Sequence, residues 1–398
     1  MNILFLPKSP DATQFYRCTV PSKYLGYTEH KTKEIYMEPI PKLPNVPSVR
    51  ATDFDWADVI VFQRPSNEFA LKMFKAVKKT NPEKPIVADF DDDYFSVPRW
   101  NPGYPYIKVN EEYWRNLIPM FDGILTSTEP LADVIRKRNK KGFVRCIPNG
   151  FDYEMFDAID PISPVKIHAP SFDSKNRKLN NMYNVSTEEF NSLMKDRIVC
   201  VWAGSKFHYV DLDWMKDELA YVAKKRDDIM FLFIGYLQSN VVEKLPINRI
   251  FTAKGVAPIQ SFYGFLKSID YQIAFAPLDP CPFNQSKSNL KLMEAMALGV
   301  YPICSAWDAY ESDLDPELHD DDLDQVHGRL VGYNQGDWVK AILETADLVK
   351  DPENMKKIKR ENDAYMRSTH DAELRTADYV EYFSELIESV KLNGKKKA

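Results

Sequence analysis

The sequence predicts an α/β protein made of two doubly wound, parallel-sheet domains in tandem. Three observations carry that prediction. Short apolar runs alternate with helical spacings through both halves of the chain. A polar, proline-broken stretch separates the halves. The 398 residues suffice for two full cores.

In the first half, residues 3–6, 59–62, 86–89 and 123–126 read as buried strands, with helices over 68–79 and 130–138. These define a first domain over 1–160. Pro161, Pro164 and Pro170 then interrupt the chain, and the Asn-rich SFDSKNRKLNNMYNVS follows. Residues 161–195 therefore read as a linker or insertion. The second half repeats the alternation, with strands over 198–202, 230–234, 272–276 and 300–304 and helices over 213–225 and 259–269. This is a second domain over 196–370. Residues 371–390 read as a helix and the lysine-rich 394–398 as a disordered tail, together a separate segment over 371–398. The acidic run Asp320, Asp321, Asp322 and Asp324 reads as an exposed loop. Doubly wound sheets bind ligands beyond the carboxyl ends of their strands, so both domains are expected to face a central cleft.

Hydrophobic content of 44% and charged content of 28% are those of a soluble globular protein. No apolar run approaches the roughly 18–20 residues that span a bilayer. The opening MNILFLPKSP lacks the basic leader of a signal peptide. The five cysteines are scattered without a CxxC pair, which points to a reduced, cytoplasmic setting. Net charge is −6, but residues 1–150 hold 22 Lys+Arg against 18 Asp+Glu, while the remainder holds 30 against 40. Arg136, Lys137, Arg138, Lys140 and Lys141 cluster in that basic half. They read as a solvated helix face, while the surplus itself points to an anionic partner. The six histidines show no metal spacing.

Residues 283–305, FNQSKSNLKLMEAMALGVYPICS, carry the strongest local signal. Ser288 reads as an N-cap, with a helix from Asn289 and an apolar face of Leu290, Met293, Ala297 and Leu298. Gly299 ends the helix, and a buried strand follows. The first turn offers free N–H groups and a positive dipole end, with Lys287 just before it: a site suited to a diphosphate. Glu294, further along, can accept hydrogen bonds from a ribose or sugar hydroxyl pair. Together they point to a nucleotide-sugar, although Ser-capped helices followed by Gly and a strand are common in α/β proteins.

Four ordered features resemble family-4 glycosyltransferases of the GT-B fold: IPNGFDYEMF (147–156), FLFIG (231–235), DYQIAFAPL (270–278) and the segment ending LMEAMALGVYPICS. The resemblance spans most of the chain. It implies transfer of a sugar from a nucleoside diphosphate donor, a UDP-sugar first, held by the C-terminal domain, to an acceptor held by the N-terminal one. Retention of anomeric configuration and no required cofactor are implied as well. Ser288, Asn289 and Leu290 then match the diphosphate-binding turn, and Glu294 the ribose carboxylate. The acidic residue usual eight positions earlier is replaced by Ser286. In WAGSKFHYVDLDWM (202–215), Lys206 is the cation expected to face the leaving diphosphate, with Ser205 and His208 beside it. The usual second cation is missing. Retention by front-side attack needs no enzymic nucleophile.

For the acceptor, the resemblance directs attention to the N-terminal loops. Gln14, Tyr16 and Arg17 follow the first strand, and Arg64 follows the second. Asp89, Asp91, Asp92 and Asp93 crowd the next strand end. Asp91 and Asp92 are candidates for acceptor orientation or general-base work, and Asp91 and Asp93 for acceptor contact. A metal-binding Asp-x-Asp site and pairing with Arg17 or Arg64 are the other readings of that run. Hydroxymethylated pyrimidine in DNA, as in phage genomes, is the favoured acceptor, with Tyr94, Phe95, Trp100 and Tyr104 available for stacking. Surface polysaccharide or lipid-linked glycan is the alternative, and a non-catalytic nucleotide-sugar-binding module the outlying one.

Overall fold

A computed structural model of the chain describes residues 1–40, 46–140, 142–173, 178–315 and 326–395. The chain forms two compact units: Met1–Asp152 with Gln285–Ser288 and His370–Ala398, and Tyr153–Asn284 with Asn289–Thr369. Among the described residues no helix is long and apolar enough to cross a membrane.

The first unit is built on six parallel strands: β1 (Asn2–Leu6), β2 (Lys31–Glu34), β3 (Val59–Gln63), β4 (Ile86–Phe90), β5 (Gly123–Thr126) and β6 (Phe143–Cys146), in the order β2-β1-β3-β4-β5-β6. Strand alternation sends Leu4, Leu6, Ile60, Phe62, Ile86 and Ala88 to one face, against Phe74, Trp114 and Phe121. Ile3, Phe5, Val59, Val61, Val87 and Leu125 line the other face. There they meet Tyr379, Tyr382, Phe383 and Leu386 of the last helix, Thr376–Lys395. Residues 371–398 are therefore no separate segment, because that face of the first sheet depends on their apolar stripe. Gly394 and Lys395 continue the helix rather than starting a tail. The edge strand β2, KTKE, lacks an apolar run because only half of it is covered, and its charges guard an exposed edge.

The second unit carries eight strands: β7 (Ile167–Asp173), β8 (Lys178–Val185), β9 (Ile198–Gly204), β10 (Ile229–Gly235), β11 (Ile250–Ala253), β12 (Ile273–Ala276), β13 (Tyr301–Ser305) and β14 (Arg329–Val331). Their order is β14-β13-β12-β9-β10-β11-β7-β8. All pairs are parallel except those made by β7, which runs antiparallel to β11 and β8. Much of the stretch expected to be a linker is thus a sheet edge followed by a helix, Thr187–Met194. Buried Ile167, Val185 and Phe190 anchor it, and a Ser186/Glu189 capping box starts the helix. Pro170 is tolerated because the register shifts between Ala169 and Pro170. The acidic run 320–324, Lys141 and residues 396–398 lie outside the described residues.

The IPNGFD motif is a seam within the first unit. The Arg17 guanidinium and Asp89 carboxylate are each 1% exposed and pair through Nε–Oδ1 at 3.0 Å and Nη2–Oδ2 at 2.7 Å. Arg17 Nη1 also donates to Ile147 O (2.7 Å) and Asn149 Oδ1 (3.2 Å). The Asp89 charge holds Arg17 protonated against the cost of burial. Phe151 exchanges backbone hydrogen bonds with the returning chain, donating to His370 O (2.7 Å) and accepting from Ala372 N (3.0 Å). A Cβ on Gly150 would lie 2.5 Å from Ala372 Cα, so only glycine fits.

Arg17→Met leaves the Asp89 charge buried without its partner. It should lower unfolding free energy by about 3–5 kcal/mol in urea titration, and an unchanged midpoint would refute the pair's structural role. Gly150→Ala forces backbone apart and should cost about 1–3 kcal/mol in the same assay.

Candidate functional site

In the second unit, loops following several strands are stitched together at their carboxyl ends. Asp211, 2% exposed, is the hub. Its Oδ1 accepts from Asp279 N (2.8 Å) and Asn284 Nδ2 (2.9 Å), and its Oδ2 meets His208 Nδ1 at 2.8 Å. Burial pushes this carboxyl up. The hydrogen bond and charge of His208, the Lys291 charge and the Asp279 N–H outweigh burial and hold it below the usual range. Ser305 Oγ, after β13, accepts from Leu278 N (2.9 Å), and Tyr333 Oη donates to Leu278 O (2.9 Å). These bonds fix the rim on which donor recognition was expected.

The helix on that rim runs Leu290–Ala297. Its N-cap is Asn289, not Ser288, and no side chain caps it. Asn289 instead donates from Nδ2 to Asp313 Oδ2 (2.8 Å), whose other oxygen accepts from Tyr365 Oη (2.9 Å). The Asn289 side chain is thus structural; Leu292 N–H and Met293 N–H both bond Asn289 O (2.9 and 3.0 Å), which leaves the N–H groups of Leu290 and Lys291 as those without an intrahelical acceptor. The buried face is Leu292, Met293, Ala295, Met296 and Ala297, with Leu290 and Leu298 only half-buried. Gly299, at φ 72°, closes the helix in a Schellman motif: Val300 N–H bonds Ala295 O (3.1 Å) and Gly299 N–H bonds Met296 O (2.9 Å). Glu294 is half-buried on the second turn, and its charge is felt by Tyr271 and Tyr310.

Lys206 lies on an exposed turn, its ammonium 5.5 Å from the Phe207 ring. Ser205 Oγ accepts from Phe207 N (3.3 Å), a local turn bond. His208 is committed to Asp211. Lys291, in the helix's first turn, was missed by sequence reasoning. Its ammonium sits 5.4 Å from the Trp202 ring, and its charge acts on Asp211. Lys291 stands on the helix and not on the 202–215 loop.

Lys287 and Ser288 belong to the first unit. There Lys287 Nζ pairs with Asp92 Oδ1 at 2.6 Å, and Thr128 Oγ1 donates to Ser286 O (3.0 Å). Lys287 is therefore one half of an ion pair rather than a free phosphate cation, and Asp92 is its partner rather than a free base. Asp91 accepts from Thr13 Oγ1 (2.9 Å) and Tyr94 Oη (3.0 Å), and burial pushes its carboxyl up against the pull of Arg64. Asp93 is buried and accepts from Phe95 N (3.0 Å), a turn contact that corrects its acceptor-binding role. Arg17 is likewise corrected, since its guanidinium is enclosed by Asp89, Ile147 and Asn149. Tyr16 is 2% exposed and lies in the core edge beside Tyr379. Gln14 bonds Glu34 and Thr19 and accepts from Tyr36 Oη (3.0 Å). Arg64 stands at φ 49°, with Nη2 on Asp11 Oδ2 (2.5 Å) and Ser9 Oγ (3.1 Å). Tyr94 stacks on Trp114 with ring centroids 4.6 Å apart, and Phe95 lies under the Arg138 guanidinium at 3.9 Å, so neither ring is free to stack on a base.

No protein-family model and no curated protein matches the sequence. Solved structures do. A glycosyltransferase from Rickettsia africae aligns with a TM-score of 0.61 and 13% identity over 97% of this chain and 98% of that one. Anabaena HepE, in complex with UDP-glucose, aligns at 0.60 and 13% over 97% and 100%. Sucrose-phosphate synthase from Thermosynechococcus elongatus aligns at 0.58 and 11% over 98% and 100%. Two Rossmann-like units with these topologies, similar to these chains over their full lengths, give the protein the GT-B fold.

Proposed function

We propose that this protein is a glycosyltransferase that moves the sugar of a UDP-sugar to an acceptor hydroxyl. The observation that carries the reading is the uncapped amino end of Leu290–Ala297, set on the Asp211-stitched rim with Glu294 one turn further on. The Leu290 and Lys291 N–H groups would hold the diphosphate, and Lys206 and Lys291 would neutralise it as the sugar bond breaks. Glu294 would accept from the ribose hydroxyls. The likeness to a structure holding UDP-glucose supports UDP as the nucleotide.

Transfer is proposed to retain configuration, with the donor phosphate oxygen taking the acceptor proton. The first unit takes the acceptor, with Asp91 as the carboxylate placed to orient its hydroxyl. The acceptor proposed is a hydroxymethylated pyrimidine in DNA, supported by the basic surplus of the first 150 residues.

Incubation with UDP-[14C]glucose and DNA containing 5-hydroxymethylcytosine should place label in the DNA. If nucleotide binds but label reaches neither DNA nor glycan acceptors, the enzyme reading fails; label in glycan alone overturns only the DNA acceptor. Glu294→Ala should weaken UDP binding about tenfold by calorimetry, the loss of one charge-assisted hydrogen-bonding group. Lys206→Ala should lower kcat more than it raises KM, because the charge it faces grows in the transition state.

A further inference from the structure

We propose that the first unit carries an oxyanion subsite, formed by Lys8, Gln63 and Arg64, that takes a phosphate or carboxylate group of the acceptor. The proposal rests on the reading that this unit holds the acceptor. Gln63 ends β3 with no exposure, and its Oε1 accepts from Lys8 N at 3.0 Å. Its Nε2 is buried and has no hydrogen-bond partner among the described residues. The next residue, Arg64, holds a left-handed backbone at φ 49° that is uncommon outside glycine. Its Nη2 is committed to Ser9 and Asp11, yet its Nε is also buried without a hydrogen-bond partner among the described residues. Two successive residues each leaving a buried donor unused, one on a strained backbone, mark a built site rather than a packing accident.

Lys8 supplies the charge. Its Nζ donates to Ser66 Oγ, itself 2% exposed, and to Tyr106 Oη at 2.9 Å. That fixes the ammonium and leaves one of its three protons unused. Lys8 makes no ion pair among the described residues. The nearby carboxylates have partners of their own: Asp11 accepts from Arg64, Ser9 and Gln14 N, and Asp91, whose charge also acts on Arg64, accepts from Thr13 and Tyr94. The two buried groups here without a partner, Gln63 Nε2 and Arg64 Nε, are both donors, so the complementary ligand group is one that only accepts. A phosphate or a carboxylate meets that condition, and a neutral hydroxyl meets it poorly.

The test is calorimetric titration of the full chain, saturated with UDP, with inorganic phosphate and separately with sodium acetate. At least one anion should bind, and which one binds tells a phosphorylated acceptor from a carboxylated one. Lys8→Met should weaken that binding at least tenfold, Lys8→Arg should restore most of it, and UDP affinity should not change in either. Gln63→Glu, which turns the buried donor into an acceptor, should weaken anion binding as much. If that variant does not fold by circular dichroism, the partly exposed Lys8 pair decides. The proposal is overturned if neither anion binds, or if wild type and Lys8→Met bind alike. Failure of UDP to bind wild type would sink the donor reading instead, and the anion titration without UDP would still read the subsite.

Discussion

The buried contact between Arg17 and Asp89 organises the first unit. One guanidinium uses its fixed fork to hold the end of β4, the carbonyl of Ile147 and the amide of Asn149. It projects from a π-helical turn, Phe15–Thr19, inserted between two α-helical segments. Because Asp89 is fixed, the carboxylates that follow it are presented in defined directions: Asp91 toward Thr13 and Tyr94, Asp92 toward Lys287, Asp93 back onto its own turn. Four acids in five residues are tolerable because each has its own partner.

Asp211 plays the corresponding part in the second unit, but with a different partner set. It ties loops with backbone and amide N–H groups and one imidazole rather than with an arginine fork. The difference suits the surroundings. Two of its donors are neutral N–H groups, so the Asp211 charge is met by His208 and by the nearby Lys291 rather than by a bidentate fork.

The architecture was legible in the sequence where strands are buried on both faces. Runs such as ILFL, VIVF and IMFLFI announce themselves by composition alone. Strands at sheet edges were not: β2 is charged, and β8 reads as KLNNMYNV. The site was less legible than the fold. The helix itself was readable from local pattern, to within a residue at its start, but whether a charge is free depends on partners distant in sequence. Lys287 and Asp92 are 195 residues apart and no local rule joins them, whereas the Arg17–Asp89 pair, 72 residues apart, was one of several readings the acidic run allowed. The same limit turned IPNGFD, a motif quoted for its family likeness, into a structural seam once Asn149 and Gly150 were seen in place.

The return of residues 370–395 to the first sheet bears on how the chain is made. Ile3, Phe5, Val59 and Val61 are covered by Tyr379, Tyr382 and Phe383, so one face of the first sheet is closed by a helix made more than two hundred residues after its last strand. At about 5–20 residues per second, that face waits roughly ten to fifty seconds for its cover after residue 152 emerges. A nascent chain in that interval presents a bare apolar sheet, the kind of surface that holdase chaperones bind. The first unit is thus finished only once residues 370–395 have been made, not by its own contiguous segment.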